Sequence, residues 1–177
     1  LESVTGTGST DVLRMLGAGS TSVSAIESVI GSAATDTVAM LAAGNLATSV
    51  VETVLGSDGT DVVTKIGAGT MAVSLVESVL GSTASDTLTM LSGGDLAVSL
   101  IDTVVGTADT DVVSALSAGT LAVSRVDTVL GTSGTDVTNL LGASTVSVSR
   151  VETVLGSAGT DSVTALSAGT LAVSSVE

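Results

Sequence analysis

The stretch Val51–Leu75, VETVLGSDGTDVVTKIGAGTMAVSL, decides the fold, because the rest of the chain repeats it with substitutions. Acidic residues recur at position two of each 25-residue unit: Glu2, Glu27, Glu52, Glu77, Asp102, Asp127, Glu152 and Glu177. Aspartates recur at position eleven: Asp11, Asp36, Asp61, Asp86, Asp111, Asp136 and Asp161. A period of this length indicates a repeat architecture, in which stacked units bury what one unit cannot bury alone.

The composition favours a folded chain with a thin, regular core. The 177 residues include no Phe, Trp, Tyr, Pro, Cys or His. Valine, leucine, isoleucine and alanine must therefore fill the interior without the large areas that aromatic rings bury. Because the mean hydropathy is +0.71 and 44% of residues are apolar, the chain does not have a disordered composition. Disulfides and thiolate or imidazole metal sites are excluded.

The charge balance limits the partners. There are 18 acidic and 4 basic residues, for a net charge of −14. This charge argues against nucleic acid as a partner, since nucleic-acid-binding proteins present a basic patch, and it favours divalent cations. No apolar run approaches the roughly 18 residues of a membrane span. We also expect no enzymatic activity, because no His, Cys or Tyr can act as base or nucleophile and repeated units offer no unique pocket.

Each unit contains three strand-like runs, which are 51–55, 62–66 and 71–74 in the quoted stretch. Glycine-containing turns separate the first run from the second and the second from the third. The pattern predicts an all-β fold, a parallel β-solenoid with one coil per 25 residues and about seven coils, in a rod roughly 33 Å long. Residues 1–177 would form a single repeat array, a slice of a longer protein. The alternative is a helix–strand horseshoe of the leucine-rich-repeat type.

If units stack in register, equivalent residues form columns along the rod. We expect Leu41, Ile66 and Leu91 to contact one another in succession. The two most regular aliphatic columns are Val4, Val29, Val54, Val79, Val104, Val129 and Val154, and Leu16, Leu41, Ile66, Leu91, Leu116, Leu141 and Leu166. A further column, Thr5, Ile30, Leu55, Leu80, Val105, Leu130 and Leu155, points outward if alternation is strict, or inward if a bulge interrupts it.

The same stacking would create two ladders of negative charge. Like charges about 4.8 Å apart repel by roughly 1 kcal/mol per pair in water and more in a lower dielectric. For position two we expect carboxylates that splay into water. For position eleven the sequence leaves two alternatives, which are shared divalent cations and hydrogen bonds from the amides of the turn.

The turn before each position-eleven aspartate resembles the RTX, or hemolysin-type calcium-binding, repeat G-G-x-G-x-D-x-U-x. The best matches are Gly56–Thr64, Gly131–Asn139 and Gly156–Thr164. The resemblance implies a parallel β-roll, export from the cell, and calcium held between adjacent turns by aspartates. The implied calcium ligands are Asp11, Asp36, Asp61, Asp86, Asp111, Asp136 and Asp161.

These observations predict an extracellular structural protein that associates with itself into a rod or fibre. A surface stalk, an adhesin shaft, a surface-layer component or a matrix filament would each fit, with calcium as a stabilising ion. The alternative is an ice-binding or other ligand-binding solenoid, suggested by a column of hydroxyl residues. These are Thr10, Thr35, Thr60, Ser85, Thr110, Thr135 and Thr160.

Overall fold

The computed structural model describes residues 2–177, which form two parallel β-sheets packed face to face. Sheet 1 contains β1 (Glu2–Thr5), β3 (Gly19–Ser24), β5 (Asp36–Met40), β7 (Thr53–Leu55), β9 (Gly69–Ser74), β11 (Asp86–Met90), β13 (Thr103–Val105), β15 (Gly119–Ser124), β17 (Asp136–Leu140), β19 (Thr153–Leu155) and β21 (Ala172–Ser174). Sheet 2 contains β2 (Val12–Arg14), β4 (Ser28–Ile30), β6 (Gly44–Ser49), β8 (Asp61–Lys65), β10 (Ser78–Leu80), β12 (Gly94–Ser99), β14 (Asp111–Ala115), β16 (Thr128–Leu130), β18 (Thr145–Ser149) and β20 (Ser162–Ala165).

The predicted parallel β-solenoid is confirmed, but the predicted coil is wrong. Each strand pairs with the strand two places along the chain, so one coil consists of one strand from each sheet. A coil therefore takes about 17 residues rather than 25, and about ten coils form instead of seven. Eleven strands at the usual spacing make a rod about 48 Å long. Between Glu2 and Glu177 the structure contains no helix, so the horseshoe alternative is wrong and no helix could cross a membrane.

The discrepancy arises because each unit has three strands and each coil uses two. Successive units therefore enter the rod on opposite sheets, and 50 residues complete three coils. The register shows this directly: Met71 lies beside Leu88, Leu88 beside Val104, and Val104 beside Val123. These residues occupy different positions of the repeat. Unlike residues consequently lie over one another, and the expected contact of like with like is wrong.

Two flat sheets suit a chain without aromatic residues. Sheets in contact lie about 10 Å apart, a gap that Val, Leu and Met side chains can fill from both sides. The valine column predicted for the core is buried from Val29 to Val154. Its members alternate between the two sheets, as Val54 in β7 and Val79 in β10 show. The interior is therefore the thin aliphatic core that the composition predicts.

The leucine column lies on the surface. Leu41, Ile66 and Leu91 are each a little over 50% exposed, and Ile66 lies on the opposite edge of the rod from the other two. The reason is alternation, because each follows an inward residue that ends a strand, such as Met40 or Lys65. The column from Thr5 to Leu155 also points outward, in agreement with strict alternation. Ile30 and Leu155, for example, are about 40% exposed on the sheet faces.

Three kinds of turn connect the strands. We name them the aspartate turn (residues 56–60 in the quoted unit), the leucine turn (66–68) and the glutamate turn (75–77). The first edge of the rod is where the chain passes from sheet 1 to sheet 2, and the second edge is where it returns. Along both edges, successive coils present an aspartate turn, a glutamate turn and a leucine turn in that order. Each kind recurs on one edge every third coil, about 14 Å apart.

The glycine at position six is required by the neighbouring coil. A Cβ on Gly56 would overlap the carbonyl oxygen of Leu75, and it would crowd Asp61 Oδ2. The Gly56 N–H donates to the carbonyl of Ser74 in the same neighbouring strand (2.8 Å). Leu75 itself has a φ of 54°, a left-handed conformation that is uncommon for residues other than glycine. The glycine column therefore makes room for a glutamate turn packed directly against an aspartate turn.

We predict that Gly56→Ala lowers the free energy of unfolding by at least about 3 kcal/mol, because the new methyl group meets main chain that cannot move aside. Gly44→Ala is the matched control, since a Cβ there meets no atom within 4 Å. The control should be neutral or slightly stabilising. Urea titration followed by circular dichroism measures both, and equal stability of the two variants would contradict the packing described.

Candidate functional site

The position-eleven aspartates are the most buried charged groups of the rod. Those from Asp36 to Asp161 are at most 4% exposed. They do not form the predicted ladder, because alternate units place them on opposite edges. Asp11, Asp61, Asp111 and Asp161 belong to the first edge, and Asp36, Asp86 and Asp136 to the second. Neighbouring aspartates on one edge are therefore three coils apart.

Each aspartate holds its own turn closed. At Asp61, Oδ2 accepts hydrogen bonds from the Ser57 N–H (2.6 Å) and the Ser57 hydroxyl (3.0 Å). Thr132 makes the same pair of bonds to Asp136 (2.6 and 2.8 Å). The residue after the glycine is Ser or Thr in every unit, where the RTX motif has a second glycine. The hydroxyl of this residue donates to the carboxylate in six of the seven units, and the Ser32 hydroxyl donates to the carbonyl of Ala34 instead.

The same residue ties its turn to the coils on either side. Asp61 Oδ1 accepts the N–H of Gly44, which ends the leucine turn of the preceding coil (3.0 Å). The main-chain N–H of Asp61 donates to Glu77 Oε2 in the glutamate turn of the following coil (2.7 Å). The position-two carboxylate makes this bond in six successive units, from Asp11 with Glu27 to Asp136 with Glu152. These outer carboxylates are largely exposed, as predicted, but they also cap a main-chain donor.

The hydroxyl column one residue before each aspartate does not form a ladder either. Its seven members are all exposed in aspartate turns. Consecutive members, such as Thr60 and Ser85, lie on opposite edges, and those on one edge are three coils apart. The predicted continuous row of hydroxyls is therefore wrong.

The residues do not fit the calcium arrangement that the RTX resemblance implies. That arrangement needs aspartates of adjacent turns to share an ion, and here the turns next to an aspartate turn are of the other two kinds. The Asp61 oxygens point at N–H and O–H donors, which a cation would repel. Across residues 2–177 no group of three acidic side chains is placed to hold a metal ion. The geometry matches the amide-bonded alternative, and calcium binding stays a prediction.

One aspartate has a cation of its own. Lys65 Nζ lies 2.8 Å from Asp86 Oδ1 and also donates to the carbonyl of Gly67; its carboxylate contact is the only salt bridge in the described part of the chain. Burial raises the pKa of Asp86, but hydrogen bonds from Lys65 and Ser82, together with the lysine charge, outweigh it. The net effect is a pKa below its usual value of 3.8.

The sequence analysis missed the role of Lys65. It occupies position fifteen, the last inward residue before the leucine turn, where other units have Met, Leu or Ala. The available signal was a single lysine in an otherwise apolar column, 21 residues before an invariant aspartate. The signal could not be used with a 25-residue coil, because that coil does not bring positions fifteen and eleven together.

Among residues 2–177, two buried side-chain acceptors have no hydrogen-bond partner, Asp111 Oδ1 and Asn139 Oδ1. At Asp111 the cause is visible, because the N–H of Gly94 donates to the carbonyl of Thr110 (3.0 Å) instead of to the carboxylate. The Gly94 φ of 143° is in a range that L side chains rarely adopt. Gly94 occupies position nineteen of its unit. Where this position is glycine, its N–H can donate either to the aspartate carboxylate or to the carbonyl of the residue before the aspartate.

We predict that Asp61→Asn lowers the free energy of unfolding by about 2 kcal/mol, because it replaces a charged acceptor of three hydrogen bonds. Asp58→Asn is the matched control, because Asp58 is exposed in the turn that precedes Asp61. It should lower the free energy of unfolding by less than about 0.5 kcal/mol. Both values should be the same in millimolar calcium and in EGTA. A rise in wild-type melting temperature with calcium that Asp61→Asn abolishes would instead establish a structural ion.

A second prediction concerns acid stability. Because the folded-state pKa of Asp86 is below 3.8, its charge contributes stability that is complete above about pH 4 and is lost as the pH falls through the lower value. Lys65→Met, which copies Met15 of the same edge, removes part of this contribution. Urea titrations at pH 7 and near pH 2 measure the difference in free energy of unfolding between wild type and Lys65→Met. This difference should be largest at pH 7 and should shrink near pH 2. A difference that grows in acid would contradict the assignment.

Comparison of the chain with protein-family models, with curated proteins and with solved structures finds no match. The resemblance to RTX repeats consequently rests on the turn residues alone and stays a prediction.

Proposed function

We propose that this protein is a structural rod that associates with further copies of itself along its two edges. The observation that carries the proposal is at position 25, where Val50, Leu75 and Leu100 combine a φ of about 54° with 53–56% exposure. A left-handed conformation costs about 1 kcal/mol or more for a side chain of this kind, and most for β-branched valine. Asparagine or glycine would suit the turn better and would be soluble. Retaining an exposed aliphatic side chain there fits a contact surface.

These residues do not stand alone on the edge. A leucine turn follows each glutamate turn in the next coil, so Leu75 is followed by Leu91 on the first edge. Val50 with Ile66 and Leu100 with Leu116 repeat the arrangement on the second edge. All six side chains are between 52% and 56% exposed. The second edge thus carries two aliphatic pairs about 14 Å apart, and the first edge carries one, since Ala25 and Arg125 occupy the equivalent positions three coils before and after Leu75. Exposed apolar surface of this kind favours lateral association.

The column also contains Ala25, Arg125, Arg150 and Ser175, and its two arginines support contact between copies of the chain. Arg125 and Arg150 replace the aliphatic residue in two units and are also exposed with φ near 55°. They are two of the four basic residues in a chain of net charge −14. On a second copy, the abundant partners for a guanidinium are the position-two carboxylates, so a neighbouring rod of the same sequence supplies the opposite charge.

The net charge opposes this association at long range. Repulsion between two rods of charge −14 is screened beyond about 8–10 Å at physiological ionic strength, whereas apolar contact is not weakened by salt. Self-association should therefore strengthen as salt is added, because screening of the repulsion between whole rods outweighs the weakening of the few arginine–carboxylate pairs.

We predict that Leu75→Asn/Leu100→Asn, one change on each edge, shifts the protein toward monomer without lowering its melting temperature, because asparagine tolerates the left-handed conformation. Ile30→Thr/Leu155→Thr is the matched control, which removes aliphatic surface from the sheet faces. Sedimentation velocity across a salt series and electron microscopy report assembly. A wild-type protein that is monomeric at all salt concentrations, or a control that dissociates as readily, would overturn the proposal.

A location outside the cell follows from the RTX resemblance and stays a prediction, as do the specific roles of surface stalk, adhesin shaft, surface-layer or matrix filament. Ice binding stays the alternative to the structural role. No hydroxyl ladder supports it, and a thermal hysteresis measurement separates the two.

A further inference from the structure

Position fifteen differs between the two edges of the rod. On the first edge it is occupied by Met40, Met90 and Leu140, which are all buried and fill the end of the core. On the second edge the sequence of residues is Met15, Lys65, Ala115 and Ala165. Alanine provides no atoms beyond Cβ. The two alanines each line a cavity at the second edge, of about 230 Å³ at Ala115 and about 260 Å³ at Ala165.

The cavity beside Ala115 corresponds to the space that Lys65 fills two units earlier. Ala115, Ser117, Gly119 and Asp136 line it, and they lie 50 residues after Lys65, Gly67, Gly69 and Asp86. The two groups that accept the Lys65 ammonium are the carbonyl of Gly67 and the carboxylate of Asp86. Both counterparts, Ser117 and Asp136, are therefore present at the Ala115 cavity without the ammonium.

The remaining walls match an alkyl chain. Val98, Leu121 and Val129 line the cavity and are buried core residues. Its volume is many times the roughly 15 Å³ that one water needs, so it can hold a ligand of several heavy atoms. Asp102 adds a second carboxylate to the lining. The combination of an apolar wall and a buried carboxylate end selects a ligand with an apolar stem and a cationic tip.

The contacts of Asp136 leave it able to accept such a tip. Its Oδ1 accepts one N–H, from Gly119, at 3.2 Å. In the unit with lysine, the equivalent Gly69 N–H donates to the Ser85 carbonyl (3.1 Å), which leaves Asp86 Oδ1 to the ammonium. Gly119 and Gly69 both have positive φ, 154° and 131°. The same small reorientation of a glycine amide would free Asp136 for a ligand.

We propose that the cavity beside Ala115 binds a linear primary alkylammonium, with a chain about as long as a lysine stem, through Asp136 and the Ser117 carbonyl. The ammonium takes the place that Lys65 Nζ has at Asp86, and the alkyl chain lies along Leu121 and Val98. The net charge of −14 raises the local concentration of such cations around the rod. This site lies on the second edge and shares Leu100 with the contact surface proposed for self-association, but binding needs no second copy of the chain.

The test is calorimetric titration of the purified protein with n-butylammonium at about 0.15 M salt, where loose counterion binding is screened. Wild type should bind one equivalent saturably and gain melting temperature with ligand. Ala115→Lys, which supplies its own ammonium, and Ala115→Met, which fills the space without charge, should each weaken binding at least tenfold. Ala115→Lys should also melt higher than wild type. Ala18→Lys, which adds the same charge at an exposed turn, should bind like wild type.

Three outcomes would overturn the proposal. The first is wild type that does not saturate below about 10 mM, which corresponds to no useful affinity for a ligand this small. The second is binding that survives both substitutions at Ala115, which would show an ion atmosphere around the acidic rod. Equal binding of n-butanol would show an apolar cavity with no use for the carboxylate. Because the first and third outcomes are measured on wild type alone, they do not depend on any variant folding.

Discussion

The structure depends on one numerical constraint, which is that a unit of three strands is wound into coils of two. This winding separates the like carboxylates that identical stacked units would place next to one another. Like carboxylates at every coil would repel by about 1 kcal/mol per neighbouring pair in water, whereas charges three coils apart, at about 14 Å, repel by about 0.3 kcal/mol. That distance also exceeds the Debye length at physiological salt. In the adjacent coil the aspartate has a position-two carboxylate as its neighbour instead, and that carboxylate is bound by a main-chain N–H, as Glu77 is by Asp61 (2.7 Å).

The same winding explains why three kinds of turn pack so closely. The Asp61 carboxylate closes its own turn and reaches the preceding coil, and its main-chain N–H is capped by Glu77 from the following coil. On the other side of the turn, Gly56 accommodates the carbonyl of Leu75. The invariant glycine, aspartate and acidic residue of each unit are thus parts of one joint between three coils. Their regular spacing reflects this joint, and no metal ion is needed to account for it.

The sequence predicts the strands of this fold well and the coil badly. The runs 62–66 and 71–74 correspond to strands at Asp61–Lys65 and Gly69–Ser74, since valine-rich alternation between glycine turns is a local signal. The number of strands per coil is a property of how sheets pack, and no local pattern specifies it. The wrong coil length also made the predicted neighbours of Leu41 and Asp61 wrong, because the neighbours of a residue depend on the number of residues in a coil and not on the repeat.

The site was likewise predictable only in part. Asp61 could be identified as a special residue from its regular recurrence, and the amide-bonded alternative followed from its position after a turn. Lys65 could not be connected to Asp86, because the two residues meet only when 17 residues make a coil.

Alternate winding also gives the rod two chemically separate edges. Because 50 residues complete three coils, a given position of the repeat lies on one edge in odd units and on the other edge in even units. A residue that differs between odd and even units therefore makes the two edges different. Position fifteen shows the consequence: Met40, Met90 and Leu140 fill one edge, while Lys65 and Ala115 diverge on the other. A substitution in one unit is thus surrounded by turns from other positions of the repeat, not by its own copies. A near-perfect repeat can in this way acquire a unique pocket without disturbing its neighbours, since each site is built from three different turns and only one of them has to change.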